Sequence, residues 1–189
     1  MNIPFINRKS ITIAFVIMVI AQWIVPISII YSKEKVSEKG QAFKFELQGI
    51  DPHDPFRGKF LILNPIENQL DLVQNQQLRQ KMYASFYTGE NGFAKIKSLG
   101  IEKPDHDYYL KVNVNRATRA NEEKQIARLT FPFDKYFVPE DQAKEAEKRL
   151  LDAVSSENQK AYTTVRVYKG NYKVENLYVN DQAILSKIE

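Results

Sequence analysis

Residues 11–30 read ITIAFVIMVIAQWIVPISII, twenty side chains without one charge, in which Gln22 alone is strongly polar. At about 1.5 Å per residue, a helix of this length spans about 30 Å, the hydrocarbon thickness of a bilayer. Trp23 and Pro26 fall in its second half, and Tyr31 comes next, where an interfacial aromatic is expected. Pro26 is tolerable in such a helix because the freed carbonyl can be satisfied locally. A buried core helix rarely runs this far without a charge. A cleaved signal peptide would share the basic approach of Arg8 and Lys9, but its apolar stretch is shorter and ends at a small-x-small site. The exit here, Ile-Ile-Tyr-Ser-Lys-Glu-Lys, offers none. Residues 11–31 are therefore expected to form an uncleaved transmembrane anchor.

All 23 acidic residues lie at Glu34 or later; removing Arg8 and Lys9 from the 27 basic ones leaves 25 to balance them. Such an even mixture, with no dense basic stripe, is no nucleic-acid footprint. Without cysteine there are no disulfides, thiolate metal sites or cysteine nucleophile. Basic residues flank the apolar run on both sides, so charge alone gives orientation little direction. A short stub normally stays cytoplasmic while a long folded domain is exported. The expected organisation is a cytoplasmic stub at 1–10, the anchor at 11–31, a juxtamembrane linker at 32–42 and an extracytoplasmic domain at 43–189. The domain is expected outside the cytoplasmic membrane, in the periplasm or its equivalent.

The exported part has enough chain for one core. Phe43, Phe45 and Leu47 alternate with Lys44, Glu46 and Gln48, the period of a half-buried strand. Residues 59–64, KFLILN, suit a central strand ended by Pro65. Residues 66–81 read as either a short helix or an irregular crossover. Strands are predicted at 82–88 and 93–99, joined by the turn Gly89-Glu90-Asn91-Gly92. Leu110, Val112 and Val114 continue an alternation begun by Tyr108, and another strand runs over 125–131. Ala143, Ala146, Leu150, Ala153 and Val154 recur at helical spacing between Pro139 and Ser156, with Pro139 suited to the first turn and Glu140 and Asp141 complementing the helix dipole. Residues 162–168 and 172–179 form a terminal hairpin about Lys169-Gly170-Asn171. The predicted fold class is α+β: one N-terminal transmembrane helix, then a β-rich, mostly antiparallel domain with one long amphipathic helix.

Asp51-Pro52-His53-Asp54-Pro55-Phe56-Arg57-Gly58 stands between the first two strands and has the composition of a rigid corner. Together with residues 59–65, the segment resembles the GDYXXLXY family of bacterial membrane-anchored proteins, in which an Asp-Pro, Asp, Arg-Gly-Asp-Tyr approach leads into a strand. The family pattern falls on Gly58-Lys59-Phe60-Leu61-Ile62-Leu63-Asn64-Pro65. Gly58 and Leu63 match and Phe60 stands in for tyrosine, while Lys59 replaces the acid and Pro65 the second tyrosine. Lys135-Tyr136-Phe137-Val138-Pro139-Glu140 and the hairpin from Val165 to Asn180 are similar to further family segments. The resemblance implies a single-pass anchor with an extracytoplasmic domain that accompanies multi-spanning membrane proteins. It carries no catalytic residue across.

The expected function is that of a non-enzymatic accessory subunit, held in the membrane by residues 11–30, with its exported domain docking on a polytopic partner. Asp51, Pro52, Asp54, Arg57, Gly58, Val138, Pro139 and Glu140 are the candidate structural or docking residues. No cofactor, metal or catalytic residue is assigned. Two other readings compete. One is an envelope module binding glycan or lipid, for which Tyr83, Phe86, Tyr87, Tyr108, Tyr109, Tyr136 and Phe137 would supply an aromatic platform. The other is a signal-peptidase-like Ser/Lys peptidase with Lys111 as base, for which Ser32 and Ser37 lack the flanking nucleophile motif. The acidic settings of His53 and His106 match no recognised metal-ligand spacing and read as solvated turns.

Overall fold

In a computed structural model, the described residues are 8–48, 60–71, 81–118, 125–156 and 159–185. Helix α1 (Arg8–Lys39) includes the whole apolar run, with mean hydropathy 2.5 over its most apolar window and none of that window buried in the protein. It is long and apolar enough to cross a membrane. Thr12 Oγ1 and Ser28 Oγ donate to the carbonyls of Arg8 and Val25, so neither hydroxyl is left unsatisfied in an apolar surrounding.

The helix does not stop where the apolar run stops. A linker is expected over 32–42, yet α1 continues to Lys39 and strand β1 (Gln41–Glu46) starts two residues later. The last turns of the helix are fastened to the domain. Val36 is wholly buried, Lys33 Nζ donates to the Tyr172 carbonyl at 2.9 Å, and Lys173 Nζ donates to Ser37 Oγ at 3.0 Å. Gly40 N–H closes the helix on the Val36 carbonyl at 3.0 Å, and Arg166 Nη1 donates to the Gly40 carbonyl at 3.0 Å.

Two antiparallel sheets carry the core. The first has the order β1-β9-β10-β11, where β9 is Ala161–Tyr168, β10 Asn171–Val179 and β11 Gln182–Ala183. The second has the order β3-β7-β6-β4-β5, where β3 is Gln69–Asp71, β4 Lys81–Thr88, β5 Ala94–Gly100, β6 Tyr109–Thr118 and β7 Gln125–Thr130. Period-2 alternation places Phe43 and Phe45 on the inner face of the first sheet, where both meet Phe86 of the second. Phe45 also packs on Phe131 and Phe133, giving the core an aromatic centre. The sheets are stitched at one end, where Gly170 and Lys169 of the β9–β10 turn donate to the carbonyls of Tyr109 and Asp107.

Helix α2 (Glu140–Val154) buries Ala146, Leu150 and Ala153, the stripe its spacing predicts. The hairpin at Gly89–Gly92 and the terminal hairpin form as expected, and Gly92 and Gly170 have the positive φ of 79° and 81° that such turns require. The run at 59–64 departs from expectation. Its strand β2 (Phe60–Ile62) belongs to neither sheet and, among the described residues, pairs with β8 (Lys135–Phe137) alone in a two-stranded ribbon. A continuous apolar run can serve a central strand or a ribbon with one face on the core, and periodicity does not separate the two.

Candidate docking site

The ribbon joins two of the three segments that carry the family resemblance. Its register sets Phe60 opposite Phe137, Leu61 opposite Tyr136 and Ile62 opposite Lys135. Alternation then sorts the side chains. Leu61 is buried and Tyr136 half-buried, and burial pushes the Tyr136 phenol above its ordinary pKa, with nearby Tyr178 adding to the effect. The other face points outward. Phe137 is 72% exposed, more than any large apolar side chain of α1, where Ile30 reaches 64%. Phe60 meets it edge-on at 6.1 Å, Lys135 Nζ stands 4.8 Å from the Phe60 ring, and Ile62 completes the patch.

Val138, Pro139 and Glu140 continue directly from this strand. Val138 is buried and pins the chain, while Pro139 and Glu140 are exposed. Pro139 is expected within the first turn of α2; it stands one residue earlier, at the N-cap, with φ −54° and ψ 142° and no side chain capping the helix. Glu140 and Asp141 lie in the first turn and face the helix dipole in place of a cap. Asp51, Pro52, Asp54, Arg57 and Gly58, together with His53 and Lys59, lie outside the described residues. Beside the ribbon, a recess of about 180 Å³ is lined by Asn64, Pro65, Asn68, Arg128 and Asp134. Asn68 Oδ1 is buried there without a hydrogen-bond partner among the described residues.

The competing constellations are dispersed. His106 Nδ1 accepts from the Tyr108 amide, and Asp107 pairs with Lys169 at 3.5 Å, so this segment serves the loop and the β9–β10 turn. Among the described residues no three His, Asp or Glu side chains could hold a metal together. Lys111 is exposed, with its ammonium 5.9 Å from the Tyr83 ring. Ser37 does meet a lysine, Lys173, but its hydroxyl proton is directed to the Lys33 carbonyl and both side chains are exposed. That contact ties α1 to β10; a desolvated lysine accepting the serine's proton is a different arrangement. The aromatic residues form no single platform. Phe86 lies in the core, Tyr109 is buried edge-on to Tyr83 at 5.5 Å, and Tyr87 and Tyr108 are exposed separately.

No curated protein and no solved structure matches the chain. The sequence model of a family described as GDYXXLXY protein matches residues 22–177, from the middle of α1 to β10, and includes both ribbon strands. The chain belongs to the GDYXXLXY family.

Proposed function

We propose that the protein is a non-enzymatic, single-pass accessory subunit of a membrane protein complex, its stub in the cytoplasm of a bacterium and its domain outside, docking on a polytopic partner. The observation that supports this reading is the Phe60–Ile62–Phe137 face. An aromatic side chain 72% exposed on a paired strand contributes little to its own fold. Exposed aromatics of this kind are the usual anchors of protein interfaces. The ribbon backbone holds the patch in shape, and Val138 roots it in the core, so the surface is preorganised for contact.

The test is a photo-crosslinking amino acid at position 137 in the full-length anchored protein, followed by detergent extraction and mass spectrometry. One multi-spanning protein should be captured. Its co-purification should be lost in Phe137→Glu and kept in Glu147→Lys, a change on the exposed face of α2. A position-137 probe that labels only lipid, or a partner indifferent to Phe137→Glu, would overturn the reading.

A further inference from the structure

A second surface lies at the opposite end of the first sheet from α1. Tyr172, beside the membrane helix, begins β10, and Asn180 lies eight residues on, about 25 Å along the strand. There the β10–β11 turn meets the β4–β5 turn around a groove of about 450 Å³. That volume is in the range of small-ligand sites.

The groove has an aromatic floor. Phe93 meets Tyr162 edge-on at 5.6 Å, and Tyr178 stacks behind Tyr162 at 5.0 Å. Lysines cross it from both sides, with Lys44 Nζ 5.1 Å from the centre of the Tyr162 ring and Lys160 Nζ 5.8 Å from that of Phe93. Each ring face holds its ammonium over the groove, and among the described residues neither lysine has a carboxylate at ion-pair distance. The amide oxygens are already committed: Asn91 Oδ1 accepts from the Phe93 amide at 3.2 Å and Asn180 Oδ1 from the Lys160 amide at 3.0 Å. Their NH₂ groups remain as donors. The one carboxylate, Asp181, accepts the Tyr162 hydroxyl at 2.7 Å. Asn180 and Asp181 take positive φ, 48° and 64°, where glycine is commoner, and it is these two side chains that make the contacts.

Two ammoniums and two amide donors over an aromatic floor call for an acceptor-rich ligand with an apolar face. We propose that this groove binds an anionic saccharide, a sugar ring bearing a carboxylate or a phosphate. The ring lies against Phe93, its oxyanion is held between Lys44 and Lys160, and its hydroxyls meet Asn91 and Asn180. The site is separate from the Phe137 ribbon and stands or falls without it.

The test uses the full chain in nanodiscs, with saturation-transfer NMR against glucuronate, glucose 6-phosphate, glucose and inorganic phosphate. At least one of the two sugar anions should bind, about tenfold or more tighter than glucose, the worth of one charge-assisted hydrogen bond. Glucuronate alone would assign the oxyanion to a carboxylate and glucose 6-phosphate alone to a phosphate, either supporting the site. The double variant Lys44→Met/Lys160→Met should lose that preference while melting with the wild type, and Lys97→Met, on an exposed position of β5, should keep it. Three results would overturn the proposal: no probe binds; inorganic phosphate binds as well as the sugar anions; or the double variant, still folded, binds unchanged.

Discussion

Replacing Gly40 with alanine strikes the joint between the long apolar helix α1 and the first strand. Gly40 is the single residue between α1 and β1. The added methyl would run into the backbone carbonyl oxygen of Val36 and lie 2.6 Å from Arg166 Cγ. Neither neighbour yields easily. The first is main chain; the second belongs to a side chain held by Glu175 at 2.7 Å and by Gly40's own carbonyl. Relief therefore requires the start of β1 to move away from the helix end. That movement sacrifices the Gly40–Val36 hydrogen bond, worth about 1 kcal/mol, and the Arg166 contact, a charged donor worth about 1.5–3 kcal/mol. The expected cost is about 2–4 kcal/mol, at the upper end of single-substitution effects. Hydrogen exchange of the full chain in nanodiscs reads it directly, because each 1.4 kcal/mol of local opening is about a tenfold loss of protection. Protection should fall by more than tenfold in Gln41–Glu46 and in the last turn of α1, while residues 11–30 keep theirs. Unchanged protection and melting in Gly40→Ala would mean that helix and domain are joined slackly and that the close contact is not there.

Three further outcomes are expected from other parts of the fold. Phe133→Ala removes a buried ring shared by Phe45, Phe131 and Tyr172 and should lower stability by about 3–5 kcal/mol in circular-dichroism melts. Burial, then the hydrogen bond to Asp181, push the Tyr162 phenol up to about 12 from 10.0, so its contribution is complete below pH 10 and is lost as pH rises through 12. Alkaline melts should show that loss in the wild type and a flatter profile in Tyr162→Phe. Gly92→Ala meets no atom within 4 Å of the new methyl, so a cost of about 1 kcal/mol from its positive φ alone is expected; a much larger one would show packing at that turn.

How much of the structure is legible in the sequence depends on the range of each interaction. The long apolar helix is legible because a charge-free run of twenty residues has the length and composition of a bilayer span. Phe43, Phe45 and Leu47 declare a strand by alternation, and Ala146, Leu150 and Ala153 a helix by their spacing, because both patterns are local. Residues 32–39 carry no such mark: Lys and Glu alternate about Val36, the only apolar side chain among them. Their helix is propagated from the nucleated anchor, where each added residue forms a hydrogen bond cheaply, and is fixed by contacts with β9 and β10 far along the chain. Tyr109 falls on the polar side of its strand's alternation but is 3% exposed, since Tyr83 and the Gly170 turn cover its ring. Of the docking residues, those of β8 and its continuation are legible through their likeness to the family, but the pairing of β8 with β2 is a tertiary fact. In the sequence Phe137 is one aromatic among several, with nothing to mark it as more exposed than Tyr87 or Tyr108. The groove is less legible still, because Lys44, Phe93, the Lys160–Tyr162 pair and Asp181 come from four separate segments.

The unbroken run of α1 from its apolar stretch into Val36 makes the domain's compass bearing a matter of counting. Each residue of an α-helix turns the rest of the chain by about 100° and raises it by about 1.5 Å. One alanine inserted after Tyr31 would swing Phe137 through about a quarter of the circle around the anchor and scarcely change its height. Seven would bring it back to within about 20° of its first bearing while lifting it about 10 Å. Under the proposed accessory-subunit reading, a partner fixed in the same membrane would feel these changes differently, as misdirection in one case and as overreach in the other. Helical phase, and not length alone, sets which neighbour the ribbon faces.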